Sequence, residues 1–285
     1  EGYDQLAPLL PDNIQWLSTP LHPYRFSLDA EAQHLDSLTE MIASRQWDVA
    51  YFTTYNRTWI DDIVAANLKD TLRVALGGPR AHGAYFDAVS EYLSLPTEQP
   101  FDSFVAVDEW IHETEKYQSF WEAISFVPGE IPLPALTIPD TAISRRDEIL
   151  AGLGVVEGQA YYVCLVGGGL NIPIKVWPAD RFADVICWIY TEYNLIPIII
   201  GHQSESVLIA EVQQHVQKRC GPTTLSWVGG DTGIEVLAAL TKRAKFYLGN
   251  DTGPMHIAAA LDVPTIGIFG GGHYPRFVPV GQKAA

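Results

Sequence analysis

The chain has 285 residues, long enough for two domains of ordinary size, and its 47% hydrophobic and 18% charged residues are those of a packed globular protein. Eighteen Lys and Arg against 34 Asp and Glu leave a formal charge of −16, which repels nucleic-acid phosphates and anionic lipid and disfavours both as partners. No apolar run approaches the roughly 20 residues that a membrane-spanning helix needs, and "EGYDQLAPLL" lacks the basic region and long apolar core of a secretory signal, so a cytoplasmic protein with no membrane span is expected.

The first half reads irregularly. A short strand is expected at 13–18 and an amphipathic helix at 29–45, with Leu35, Leu38, Met41 and Ile42 on one face. A strand follows at 47–54, a helix at 58–68, a strand ending in a glycine turn at 72–78, and helices at 83–95 and 110–126. The segment 127–140 then carries Pro128, Pro132, Pro134 and Pro139, which remove donors and disfavour helix. It reads as a linker between an N-terminal domain of 1–130 and a C-terminal domain of 141–285; a long surface loop is the alternative.

The second half alternates. Helices are expected at 142–154, 178–194, 204–219, 233–244 and 254–261, and strands at 160–169, 195–201, 224–230, 245–250 and 263–271. Alternation of this kind argues for a parallel sheet covered on both faces, with ligands beyond the carboxyl ends of its strands. The three cysteines, Cys164, Cys187 and Cys220, are widely spaced and read as buried thiols rather than a disulfide framework or a zinc site.

The stretch "GNDTGPMHIAAALDVPTIGIFG" (249–270) concentrates polar residues in one strand–turn–helix–strand. Pro254 suits the first helical turn, where its missing N–H would have had no partner. The amides of Thr252 and Gly253, with the positive end of the helix dipole, form an anion site suited to phosphate. A plainer reading is that Asp251 or Thr252 caps the helix.

This stretch closely resembles the signature of the bacterial heptosyltransferases, glycosyltransferase family nine. "VGGGLNIPIKVWPADRFADV", "IPIIIGHQSE" and "SWVGGDTGIEVLAALTKRAKFYLGNDTG" are similar to the family's preceding units and come in its order, so the likeness covers about 140–281. The resemblance implies an α/β fold of two Rossmann-like domains with parallel sheets facing a central cleft (GT-B), here truncated at both ends. It implies a nucleotide-diphosphate sugar donor, an acceptor that is a saccharide, glycolipid or protein, no cofactor and no metal.

Carried over residue by residue, Lys175 contacts phosphate and Asn171 lies in the turn that reaches the donor phosphates. Glu205 binds ribose, Thr232 lies at the nucleobase edge and Asp251 contacts the sugar. Thr252 and Gly253 give diphosphate-binding amides, and His256 faces the sugar-phosphate. His273 and Arg276 stand where the family text differs; Arg276 is read as an acceptor or phosphate contact, or a surface turn. Each residue has a plainer reading: a solvated lysine for Lys175, a helix-start carboxylate for Glu205, a core histidine for His256. The family's aspartate-bearing first turn has no counterpart here. Asp4 lies close to the start, and Asp61 and Asp62 read better as a solvated helix face than as the acceptor's base.

The expected activity is inverting, metal-independent transfer of a heptose-like sugar from an ADP-linked donor to a hydroxyl, with Lys175 and Asp251 as catalytic residues. A non-catalytic nucleotide-sugar-binding module and a nucleotide-sugar epimerase of the same two-domain shape are the alternatives. A Rossmann dehydrogenase is disfavoured, because in "VGGGLN" Gly167 and Gly169 fit the dinucleotide fingerprint but position 172 is Ile.

Overall fold

The computed structural model describes residues 3–10, 14–23, 27–80, 83–95, 100–125, 133–168, 175–221, 224–229, 233–270 and 274–281. The described residues from Leu17 to Ser125 form one compact unit. Those from Leu133 onward form a second, together with the segment up to Trp16.

The first unit contains α1 (Leu28–Ala43), β1 (Val49–Phe52), α2 (Trp59–Asn67), β2 (Leu72–Leu76), α3 (Gly83–Leu93), β3 (Ser103–Val105) and α4 (Glu113–Ser125). Its three strands pair in parallel in the order β1-β2-β3. Phe52 and Ala75 pack with Leu35, Leu38, Trp59, Ile63 and Phe86 of α1–α3. Val74 and Leu76 face the other way, against Phe120 of α4. The strand expected at 13–18 is not formed: its described residues, 14–18, have no regular structure, and Ile14, Trp16 and Leu17 stay exposed. The three-residue β3 was not foreseen, being too short to show an alternation.

The second unit opens with a 3-10 helix, Tyr3–Leu9, that the sequence had not suggested. Leu9 is fully buried against Ala238, Ile257 and Leu261, so this N-terminal segment belongs to the C-terminal unit and not to the domain of 1–130 expected for it. Then come α5 (Asp140–Gly152), β4 (Tyr161–Leu165), α6 (Ala179–Tyr193), β5 (Ile196–Gly201), α7 (Ser206–Arg219) and β6 (Leu225–Val228). The unit closes with α8 (Ile234–Arg243), β7 (Tyr247–Asn250), α9 (Gly253–Ala260) and β8 (Thr265–Ile268). Local signals set several ends: Asn194 takes a left-handed conformation (φ 51°) to stop α6, and proline opens α9.

The five strands are parallel and ordered β6-β5-β4-β7-β8. The chain winds outward from β4 in one direction through β5 and β6, then returns to the other side of β4 for β7 and β8. β4 is buried along its whole length because helices cover both faces. Tyr161, Val163 and Leu165 face α5, α8 and α9, while Tyr162 and Cys164 face α6 and α7. The reversal between β4 and β7 is the topological switch point, outside whose carboxyl ends open α/β sheets bind ligands.

The cysteines depart from expectation. Cys187 on α6 and Cys220 at the end of α7 form a disulfide, with Cα atoms 5.8 Å apart across a separation of 33 residues. Packing of α6 and α7 side by side on one sheet face brings them together, which spacing alone could not reveal. Cys164 is a free, fully buried thiol, and burial pushes its pKa up to about 12. No described helix is long and apolar enough to cross a membrane.

Candidate active site

β4 runs on into Val166-Gly167-Gly168, and β7 ends at Asn250, with Asp251 following. Asn250 is fully buried between them. Its Nδ2 donates to the Val166 and Gly167 carbonyls at 2.8 and 2.9 Å, and its Oδ1 accepts from the Trp177 amide at 3.3 Å. One side chain thus satisfies two carbonyls just past β4 and the amide of Trp177 before α6. The sequence reading passed over it, although an Asn closing an apolar strand was a signal for a buried clamp.

Glu205 ends the 3-10 turn Gln203–Glu205 after β5, and its Oε2 accepts from the His202 amide at 3.0 Å. The carboxylate lies across the tip of β4: a Cβ on Gly167 would fall 1.8 Å from its Oε1. Glycine at 167 is therefore what leaves the Glu205 carboxylate its place over the strand tip. Glu205, Gly167, Gly168, His202, Thr252 and Pro254 line a cavity of about 290 Å³, whose apolar wall includes Leu165, Ile200, Trp227, Ile234 and Leu237. Trp227 and His202 were not anticipated. They arrive from β6 and the end of β5, and only the sheet order makes them neighbours.

Thr252 stands at the N-cap of α9 in extended conformation (φ −149°, ψ 171°), yet its hydroxyl caps no helix amide. It donates instead to the Asn250 carbonyl at 3.3 Å. Pro254 has no N–H, and the Met255 amide bonds to the Thr252 carbonyl at 3.1 Å. Among the described residues, the amides of Thr252 and Gly253 find no acceptor. Beside them the Lys175 ammonium lies 2.7 Å from Asp251 Oδ2, with side-chain exposures of 23% and 10%. Two open amides, a helix dipole and an ammonium with further donors suit an oxyanion.

The structure thus brings Lys175, Asp251, Thr252 and Gly253 together and places Glu205 on the cavity that Thr252 also lines. His256 is exposed on α9 and does not line that cavity. Arg276 is buried, its guanidinium stacked 4.8 Å from the Phe277 ring, and does not line the cavity either. Asn171, Thr232 and His273 lie outside the described residues. Among the described residues, no group of three or more His, Cys, Asp or Glu side chains could hold a metal.

In the first unit, Asp61 and Asp62 are not the solvated helix face expected of them. Asp61 closes a capping box on α2, accepting from the Thr58 amide at 2.7 Å and hydroxyl at 2.9 Å. Asp62 is fully buried, 2.6 Å from Arg80 Nε and 3.9 Å from Arg57 Nε. Burial raises the pKa of both carboxyls. Each has a structural task, and Asp62 is closed off from solvent. Asp4 has no described side chain.

A doubly wound parallel sheet with an anion-suited helix start at its switch point, together with a second parallel-sheet unit, defines an α/β protein of GT-B-like architecture. The family model for glycosyltransferase family 9 (heptosyltransferase) matches residues 86–285, and the chain belongs to that family.

Lipopolysaccharide heptosyltransferase 3 of Escherichia coli is 28% identical over 126 residues, 44% of this chain and 34% of that protein. Lipopolysaccharide heptosyltransferase 2 of Salmonella typhimurium is 28% identical over 184 residues, 62% of this chain and 51% of that protein. The chain therefore spans between a third and about half the length of these curated relatives.

Among solved structures, a family 9 glycosyl transferase from Veillonella parvula superposes with a TM-score of 0.71 at 16% identity, covering 96% of this chain and 72% of that one. E. coli heptosyltransferase WaaC with ADP gives 0.59 at 14% identity, covering 90% and 71%. At such identities the likeness is one of fold.

Proposed function

We propose that this chain takes part in inverting transfer of a heptose-like sugar from an ADP-linked donor to a hydroxyl of a saccharide, glycolipid or protein. The observation that carries the reading is Lys175 held against Asp251 beside the two open amides at the start of α9. As the anomeric bond breaks, negative charge collects on the departing diphosphate. Lys175 and the Thr252 and Gly253 amides stabilise it without needing to reorganise. Glu205 accepts hydrogen bonds from the ribose hydroxyls, and the wall containing Trp227, Ile234 and Leu237 takes the base. Asp251 orients Lys175 and faces the sugar. Family membership supports the sugar-nucleotide donor, and the relative solved with ADP supports an adenine base.

Calorimetric titration with ADP, UDP and GDP tests the reading. ADP is expected to bind best, and Lys175→Ala to weaken it roughly ten- to a hundredfold, the worth of a hydrogen bond to a charged group. Indifference to all three nucleotides removes the donor-site reading. ADP release that requires a hydroxyl acceptor separates transfer from epimerisation and from simple binding.

A further inference from the structure

Glu205 reaches the cavity from a turn that one imidazole caps. His202 follows β5 and is the N-cap residue of the 3-10 turn Gln203–Glu205, with extended backbone (φ −83°, ψ 159°). Its Nδ1 accepts from the Ser204 amide at 3.2 Å, and the Ser204 hydroxyl lies 2.9 Å from the same nitrogen. An amide can only donate, so Nδ1 is the acceptor of the ring and the neutral imidazole carries its proton on Nε2. In return the Glu205 Oε2 accepts from the His202 amide at 3.0 Å, and the Glu205 amide donates to the His202 carbonyl at 2.8 Å. The two residues, three positions apart, form a capping box.

The box decides where the carboxylate goes. Oε2 is set at the end of β5, 3.0 Å from the place a Cβ on Gly201 would take. Oε1 is thereby carried across to the tip of β4, over Gly167. His202, Gln203 and Ser204 are all exposed, so hydrogen bonds rather than core packing give this turn its shape. His202 and Glu205 both line the cavity.

We propose that His202 is a positioning residue of the nucleoside site: through Nδ1 it caps the turn that holds the Glu205 carboxylate over the tip of β4, where it meets the ribose hydroxyls. The inference rests on the donor-site reading above and deepens it. It assigns His202 a share in recognising the ribose, exerted through Glu205, and none in recognising the diphosphate. What the role requires is an acceptor at the position of Nδ1. Asparagine, a favoured N-cap residue, supplies one there with Oδ1. Glutamine is one methylene longer and sets its polar end near the position of Nε2 instead.

The test compares ADP with 2′,3′-dideoxy-ADP by calorimetry, since the second lacks both hydroxyls that Glu205 would accept from. The parent chain is expected to prefer ADP roughly tenfold or more. His202→Ala is expected to weaken ADP about three- to tenfold, the range of a lost N-cap, and to leave the dideoxy nucleotide within about twofold. His202→Asn is expected to restore most of the ADP affinity, and His202→Gln little of it. In a Glu205→Ala background, His202→Ala should change nothing further, because the two side chains act as one unit. Equal losses for the two nucleotides, an unchanged ADP affinity in His202→Ala, rescue by Gln in place of Asn, or additive effects overturn the proposal while leaving the donor-site reading intact. Should His202→Ala fail to fold, Asn and Gln variants that bind ADP equally overturn it alone. A parent chain that binds the two nucleotides alike removes the ribose role of Glu205 and this proposal with it; one that binds neither ADP, UDP nor GDP overturns the donor-site reading as well.

Discussion

Lys175 and Asp251, 76 residues apart in the chain, meet at 2.7 Å, so the ammonium that would greet a diphosphate is already paired with a carboxylate. Viewed from the approaching anion the pair is close to neutral, and attraction falls to the remaining Lys175 donors and the α9 amides. Asp251→Asn is therefore expected to bind ADP about two- to fivefold more tightly, a small gain because the pair is partly exposed and screened by solvent. If Asp251 faces the sugar as proposed, transfer should fall in the same variant, because that group loses its charge. Titration and turnover read the two effects separately; weaker ADP binding would mean that Asp251 chiefly holds Lys175 in place.

Gly167 is expected to tolerate no side chain without loss of binding. A Cβ there meets the Glu205 carboxylate at 1.8 Å, and the far end of that side chain can move aside. Gly167→Ala should thus fold with little change in melting temperature while adenosine and ADP both bind more than about tenfold more weakly, the scale of a lost hydrogen bond to a charged group. Retention of binding would place Glu205 outside the nucleoside site.

Asn250 satisfies three backbone groups at the switch point. Asn250→Leu removes that clamp and leaves buried carbonyls unpaired, which should destabilise the chain by about 2–4 kcal/mol. Denaturant unfolding measures it; a loss under about 1 kcal/mol would show that water or a backbone shift replaces the side chain.

Asp62 compensates Arg57 and Arg80. Asp62→Ala strands the buried Arg57 and should cost about 3–5 kcal/mol, as when one partner of a buried ion pair is removed. Burial raises the Asp62 pKa above its ordinary value of 3.8, so the folded state holds the proton more readily than the unfolded chain. Its contribution is greatest below that ordinary value and is lost as pH climbs through the raised one. Asp62→Asn should flatten this part of the stability profile, measured by unfolding at a series of pH values.

The Cys187–Cys220 bond predicts a thiol count. The unfolded, unreduced chain should react with one equivalent of thiol reagent, at Cys164, and with three after reduction. Closing a loop across 33 residues is worth about 3–4 kcal/mol by the chain-entropy argument, so Cys220→Ser should unfold at lower denaturant. Three reactive thiols before reduction would refute the bond.

The sequence by itself determined the succession of helices and strands in the second unit, because apolar periodicity, Pro254 at a helix start and glycines after strands act over a few residues. It also determined which loop carries the anion-suited amides, and the family likeness gave Lys175, Glu205 and Asp251 as candidates. Only the tertiary structure decided what depends on which strands lie side by side. The order β6-β5-β4-β7-β8 puts Glu205 over Gly167, brings Trp227 to the cavity and closes Cys187 onto Cys220. Tertiary packing within the first unit likewise turned Asp62 inward, and packing against α8 and α9 gave Tyr3–Leu9 to the C-terminal unit. The reason is one of range: a local pattern tells a residue which way to face, whereas what it faces is set by segments tens of residues away that arrive only when the sheet is assembled.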